Sequence, residues 1–201
     1  GGTGDDVYNF GYGDGADTID NTDSGHATAT DIVNFTRPVG RFDTLFSKSG
    51  DDLITTLTLT GDTLTISGWF SDSARRVDYF VYSGLQNAYA FVGDDTTQSW
   101  TAQTDDNYKF VGFGANDSLT GAGGHDILVG GSGGDTLTGG DGSDTVSYEG
   151  SSAAVTVSLA ANTASGGDAA GDTLTGIENL YGSDHADTLT GDSADNILTG
   201  A

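Results

Sequence analysis

Four aspartates, Asp117, Asp126, Asp135 and Asp144, recur nine residues apart, and this period constrains the chain more than any other feature. With the aspartate sixth, the nonamers read GFGANDSLT, GAGGHDILV, GGSGGDTLT and GGDGSDTVS. Position eight is Leu119, Leu128, Leu137 and Val146. Position one is always glycine, and position four is glycine in the last three units. A unit this short cannot bury its single apolar residue alone, so copies must stack. Each nonamer divides into a six-residue turn, which glycine makes feasible, and a three-residue strand. The middle strand residue points inward and its neighbours outward. Two nonamers complete one coil, and stacked coils give parallel sheets with a Leu/Val/Ile ladder inside.

Looser copies extend the pattern. GDAAGDTLT carries Asp172, GSDHADTLT carries Asp187, and GDSADNILT has Asn196 in the aspartate slot. Near the other end, GGTGDDVYN matches through Asp6 and YGDGADTID through Asp17. Between 31 and 109 the pattern changes. LITTLTLTGDTLTISGWF alternates apolar and Thr/Ser residues around Gly61-Asp62, which predicts a β-hairpin, and VDYFVY predicts a further strand. No long apolar pattern has a helical period, so the fold class is all-β. The expected organisation is repeats over 1–30, a β-rich hairpin- or sandwich-like insert over 31–109, and a second repeat block over 110–201. One strand and a long loop at 150–171 interrupt that block.

One apolar residue in nine is a thin core against the backbone entropy of ordering the whole unit, so a compensating ligand is expected. The charge indicates its sign. Six Lys+Arg oppose thirty Asp+Glu, for a net charge of −24, which excludes nucleic acid and anionic membrane as partners. All six basic residues lie between Arg37 and Lys109, whereas Phe110 to Ala201 holds thirteen acids and no base. Cysteine is absent, which removes disulfides and thiolate zinc sites, and no apolar run is long enough for a membrane span. Opening on GGTGDD and closing on LTGA, the chain reads as a cut from a longer repetitive polypeptide.

Stacked turns offer carboxylates and carbonyl oxygens, and a flexible cage of such hard donors suits Ca²⁺ better than Mg²⁺. The turn of one unit lies above that of the unit two before it. Asp117 should therefore face Asp135 on one edge, and Asp126 should face Asp144 on the other.

These nonamers resemble the GGxGxDxUx repeats of the RTX family of secreted calcium-binding proteins. The resemblance implies right-handed parallel β-roll blocks holding several Ca²⁺ ions through the aspartate and the carbonyls of positions one, two and four. Carried onto this sequence, it implicates Asp126, Asp135 and Asp144 with Gly121, Ala122, Gly124, Gly130, Gly131, Gly133, Gly139, Gly140 and Gly142. Asp117 belongs too, although Phe113 and Ala115 replace glycines in its turn and a distorted site is expected there. Asp6, Asp17, Asp172 and Asp187 are the outlying candidates. The central SKSGDDL, GDTLTISGWF and RRVDYFVYSG resemble a β-rich module that often accompanies such repeats. The implied function is a non-enzymatic, calcium-stabilised segment of an extracellular, type I-secreted bacterial protein. Its alternatives are an end-to-end filament, adhesin or surface-layer subunit, and the accessory C-terminal part of a secreted enzyme.

Other motifs favour plain readings. Gly130 to Gly134 spells G-x-S-x-G, but a hydrolase nucleophile there needs a following helix, and DTLTGG offers a strand and a turn. His26, His125 and His185 fall in polar turns. Trp69, Phe70, Tyr79, Phe80 and Tyr82 suit carbohydrate stacking, but at strand spacing they suit a core better. Asp51-Asp52, Asp94-Asp95 and Asp105-Asp106 point to opposite faces if extended, which favours solvated loops or a peripheral cation site.

Overall fold

The computed structural model describes residues 4–21, 29–36, 38–73, 76–83, 85 and 88–200. Among these the chain is all-β, and the named helical pieces are 3-10 turns of three residues, Arg41–Asp43 and Gly167–Ala169. It forms two compact units, residues 1–91 and 92–201. Residues 31–91 thus share a unit with the N-terminal repeats, and 92–109 share one with the C-terminal block.

The first unit contains β1 (Val7–Phe10), β2 (Ala16–Ile19), β3 (Ile32–Phe35), β4 (Thr44–Ser49), β5 (Asp52–Leu57), β6 (Thr63–Ile66), β7 (Tyr79–Tyr82) and β8 (Ala88–Val92). β1, β3 and β7 form a parallel ladder with Phe10, Phe35 and Tyr82 in register. β2 pairs in parallel with β6, and β5 joins β6 and β4 antiparallel. The predicted hairpin is thus β5–β6 around Gly61-Asp62, and VDYFVY supplies β7. The core of this unit is aromatic. Trp69, Phe80 and Tyr82 are buried, and Phe80 stacks on Phe35 and meets Phe46 and Trp69. Side chains enclosed in this way are packing elements, as their strand spacing suggested.

The second unit is a roll. Its strands are β9 (Ser99–Thr101), β10 (Asn107–Val111), β11 (Ser118–Gly124), β12 (Ile127–Val129), β13 (Thr136–Gly142), β14 (Thr145–Ser147), β15 (Thr156–Ser158), β16 (Thr163–Ser165), β17 (Thr173–Thr175), β18 (Asn179–Tyr181), β19 (Thr188–Thr190) and β20 (Ile197–Thr199). One parallel ladder runs β9–β11–β13–β17 and the other β10–β12–β14–β18–β20. Leu119 stands opposite Leu137, and Leu128 opposite Val146, all four fully buried. The two-nonamer coil read from the sequence is the coil of the structure.

The 150–171 segment departs from expectation. It holds two strands, β15 and β16, paired antiparallel, in place of one strand and a loop. Asn162, at φ 49°, supplies the left-handed residue in the connection, a conformation Asn tolerates better than most side chains. β15 also pairs in parallel with β19, so the hairpin joins the stack.

Candidate metal site

Each regular turn alternates backbone hand. Positions two and four take positive φ in all four nonamers: Phe113 and Ala115, Ala122 and Gly124, Gly131 and Gly133, Gly140 and Gly142. Phe113 and Ala115, at 75° and 72°, thus adopt the glycine conformation, and the turn of Asp117 keeps the regular geometry at the cost of local strain. These turns stack closely. The Phe113 carbonyl lies directly against Gly131, and the Ala122 carbonyl against Gly140, where any β-carbon would collide with it.

The aspartates stand at the strand entrances and form two files. In the first, Asp117 Oδ1 accepts the Gln98 N–H at 2.7 Å, Asp135 Oδ1 the Asp117 N–H at 2.8 Å, and Asp172 Oδ1 the Asp135 N–H at 2.9 Å. In the second, Asp126 Oδ1 accepts from Tyr108 at 2.7 Å, Asp144 Oδ1 from Asp126 at 2.8 Å, and Glu178 Oε2 from Asp144 at 2.9 Å. One oxygen of each acid therefore bolts its coil to the preceding one. The structure brings together the pairs expected from the sequence, Asp117 with Asp135 and Asp126 with Asp144.

The second oxygen has another environment. Oδ2 of Asp117 and of Asp135 is buried and accepts no hydrogen bond. Leaving a carboxylate oxygen this way is costly unless a cation compensates. Asp117 Oδ2 and the Gly130 carbonyl press on Gly112 where a β-carbon would stand, so no side chain fits there. Asp126 Oδ2 and the Gly139 carbonyl press on Gly121 in the same way, and Asp144 Oδ2 and the Gly176 carbonyl on Gly139. A carboxylate oxygen and a carbonyl oxygen of the neighbouring turn are thus brought close together at each of these glycines, a pairing of hard donors that suits a cation. Burial pushes the Asp117 carboxyl up to about 6 against the opposing Gln98 hydrogen bond, with the charge of Asp135 adding to the rise. Asp135 is raised as well, again chiefly by burial. Among the described residues no three His, Cys, Asp or Glu side chains are gathered to hold a metal, so the donor set depends on backbone carbonyls.

The outlying candidates differ. Both Asp172 oxygens are engaged, Oδ1 by Asp135 and Oδ2 by the Tyr148 hydroxyl at 3.0 Å. Burial pushes Asp172 up to about 7, aided by the charges of Asp135 and Asp168. Asp17 is exposed within β2, opposite Leu64. Asp6 opens a file in the first unit: its N–H donates to Asp31 Oδ1 at 2.9 Å, the Asp31 N–H donates to Asp78 Oδ2 at 2.6 Å, and Asp6 Oδ2 is buried with no hydrogen bond. Asp31, Asp78 and Glu178 were not singled out from the sequence. Each nevertheless opens an acid-x-apolar triplet, Asp-Ile-Val, Asp-Tyr-Phe and Glu-Asn-Leu, as Asp126 opens Asp-Ile-Leu.

The remaining motifs hold turns together. Ser132 is exposed and is followed by β13. His125 Nδ1 accepts the Ser143 N–H at 3.0 Å, His185 lies exposed in a turn, and His26 lies outside the described residues. Asp52 accepts from Gly68, Asp94 from Thr96 and Gln98, and Asp106 from Thr104.

Parallel two-strand coils with acids at the entrances of β11 to β14 and carbonyls packed against the next turn form a β-roll suited to Ca²⁺. Residues 111–146 and 172–201 match the RTX calcium-binding nonapeptide repeat, in four copies, and residues 52–84 match the haemolysin-type calcium binding protein related domain. The chain therefore carries a calcium-binding segment of the RTX type. No curated protein matches it.

Proposed function

We propose that this segment is a structural, non-catalytic module of a secreted protein that becomes rigid when it binds extracellular Ca²⁺. The observation that carries the reading is the pair of buried Asp117 and Asp135 Oδ2 atoms without a hydrogen-bond donor, the first of them crowded against Gly112 together with the Gly130 carbonyl. Asp117, Asp126, Asp135 and Asp144 would supply the charged donors, and the carbonyls of Gly121, Ala122, Gly124, Gly130, Gly131, Gly133, Gly139, Gly140 and Gly142 the neutral ones. Bound Ca²⁺ would neutralise carboxylates that burial otherwise disfavours. A site assembled only on folding converts binding energy into folding energy.

Extracellular calcium modules work at roughly 10⁻⁴–10⁻³ M, so the chain would stay open in a cytosol and close outside the cell. That suits export of an extended chain through a narrow channel. No helix among the described residues is long and apolar enough to cross a membrane. The filament, adhesin and accessory-domain alternatives draw on no particular feature of the described residues.

The test is circular dichroism at neutral pH with Ca²⁺ and with EGTA. β-structure that forms in Ca²⁺ and collapses in the chelator is the expected result. An unchanged β-spectrum in EGTA would overturn the folding switch.

A further inference from the structure

The repeats at 182–190 and 191–199 match the same family as those at 112–147, yet their turns are built differently. In the regular turns, positions two and four lie at positive φ. Their counterparts Ser183 and His185, and Asp192 and Ala194, do not. The change reorients the peptide groups around the acid. The Ser183 N–H donates to Asp187 Oδ2 at 2.6 Å and the Ser183 hydroxyl to Oδ1 at 2.7 Å. The Val155 N–H donates to the same Oδ1 at 2.8 Å. Both oxygens of Asp187 are thus satisfied by protein donors, whereas Asp117 and Asp135 each keep one buried oxygen without any.

The next turn repeats the arrangement with an amide. Asn196 Oδ1 accepts the Asp192 N–H at 2.8 Å, and Asn196 Nδ2 donates to the Glu178 carbonyl at 2.9 Å. The Glu178 carbonyl, whose counterparts at Asp126 and Asp135 accept the N–H groups of Thr145 and Thr173, is here taken by a side-chain donor. The ionisation of the acids agrees. Partial burial opposes it, but the Val155 and Ser183 hydrogen bonds hold Asp187 below the usual carboxylate range, while burial drives Asp117 up.

We propose that this chain holds two kinds of RTX turn, calcium-requiring ones at 112–147 and calcium-independent ones at 182–199 whose own N–H groups occupy the place of the ion. The inference rests on the calcium reading given above. In the second kind a cation would have to break hydrogen bonds already made, so metal loading is confined to the turns with open oxygens.

Ca²⁺ stoichiometry by calorimetry and equilibrium dialysis on the full chain tests it, with Asp135→Asn, Asp187→Asn and Asn196→Asp compared. Asp135→Asn should lose at least one ion. Asp187→Asn should keep the full count with a midpoint shifted by less than about twofold, because its carboxylate is not a ligand. Asn196→Asp, which restores the family aspartate on an exposed turn and does not depend on Asp187→Asn folding, should add no ion. An ion lost in Asp187→Asn, or gained in Asn196→Asp, would overturn this inference and leave the calcium reading standing. A wild-type chain that binds no Ca²⁺ would overturn both.

Discussion

At the residue scale, the unit of construction is one carboxylate with two tasks. Its Oδ1 accepts the N–H opposite it in the preceding coil, as in Asp117 to Gln98 and Asp135 to Asp117, and this bond needs no metal. Its Oδ2 is left for the turn. In the 182–190 turn, where position two is not left-handed, the Ser183 N–H closes that oxygen. Ala122 sits at φ 67° where Gly131 and Gly140 occupy the same slot at 94° and 113°. Ala122→Gly should relieve left-handed strain of about 1–2 kcal/mol and lose about 0.5–1 kcal/mol to chain entropy, for a small net gain. Gly140→Ala, nominally the reverse change, should destabilise strongly, since its β-carbon would strike the Ala122 carbonyl. Denaturant midpoints in saturating Ca²⁺ should move in opposite directions.

At the element scale, each strand has only three to seven residues in the roll, and its stability comes from the ladder. Leu137 is fully buried between Leu119 and Leu174, while Leu198 in β20 is 41% exposed. Leu137→Ala should cost about 2–5 kcal/mol through lost burial and the cavity left behind. Leu198→Ala should cost well under half as much, a contrast that thermal melts in Ca²⁺ can measure. The ladder was legible in advance because an apolar residue at position eight recurs with the acids. The second strand at 163–165 was not. Thr-Ala-Ser has no strong strand pattern, and β16 exists because the Asn162 connection folds it back onto β15.

At the scale of the whole molecule, the acids set a pH response. Asp117 and Asp172 are raised from 3.8 to about 6 and about 7, so the folded chain binds protons more tightly than the unfolded one. Their contribution to stability is full below pH 3.8 and is lost as pH rises through about 6 and about 7. In metal-depleted buffer the β-signal in circular dichroism should therefore rise as pH falls from 7.5 towards 5. Asp62, Asp187 and Asp192 are lowered and act only near or below their ordinary range, outside this window. A β-signal that falls over the same interval would show that these carboxyls do not favour the folded chain. With saturating Ca²⁺ the trend should reverse, because protons then compete with the ion.

The sequence by itself determined the coil, its two-nonamer length, the facing of Asp117 with Asp135 and of Asp126 with Asp144, and the choice of an all-oxygen cation. A strict period of nine with one apolar slot leaves a solenoid as its packing solution. The tertiary structure alone decided which acids keep an open oxygen. Asp117 and Asp187 occupy the same slot of GFGANDSLT and GSDHADTLT, and neither turn has glycine at position two or four. What separates them is the backbone hand at Phe113 and Ser183. That hand turns a carbonyl-lined turn into one closed by N–H groups, and it is fixed only when each turn stacks on its neighbour.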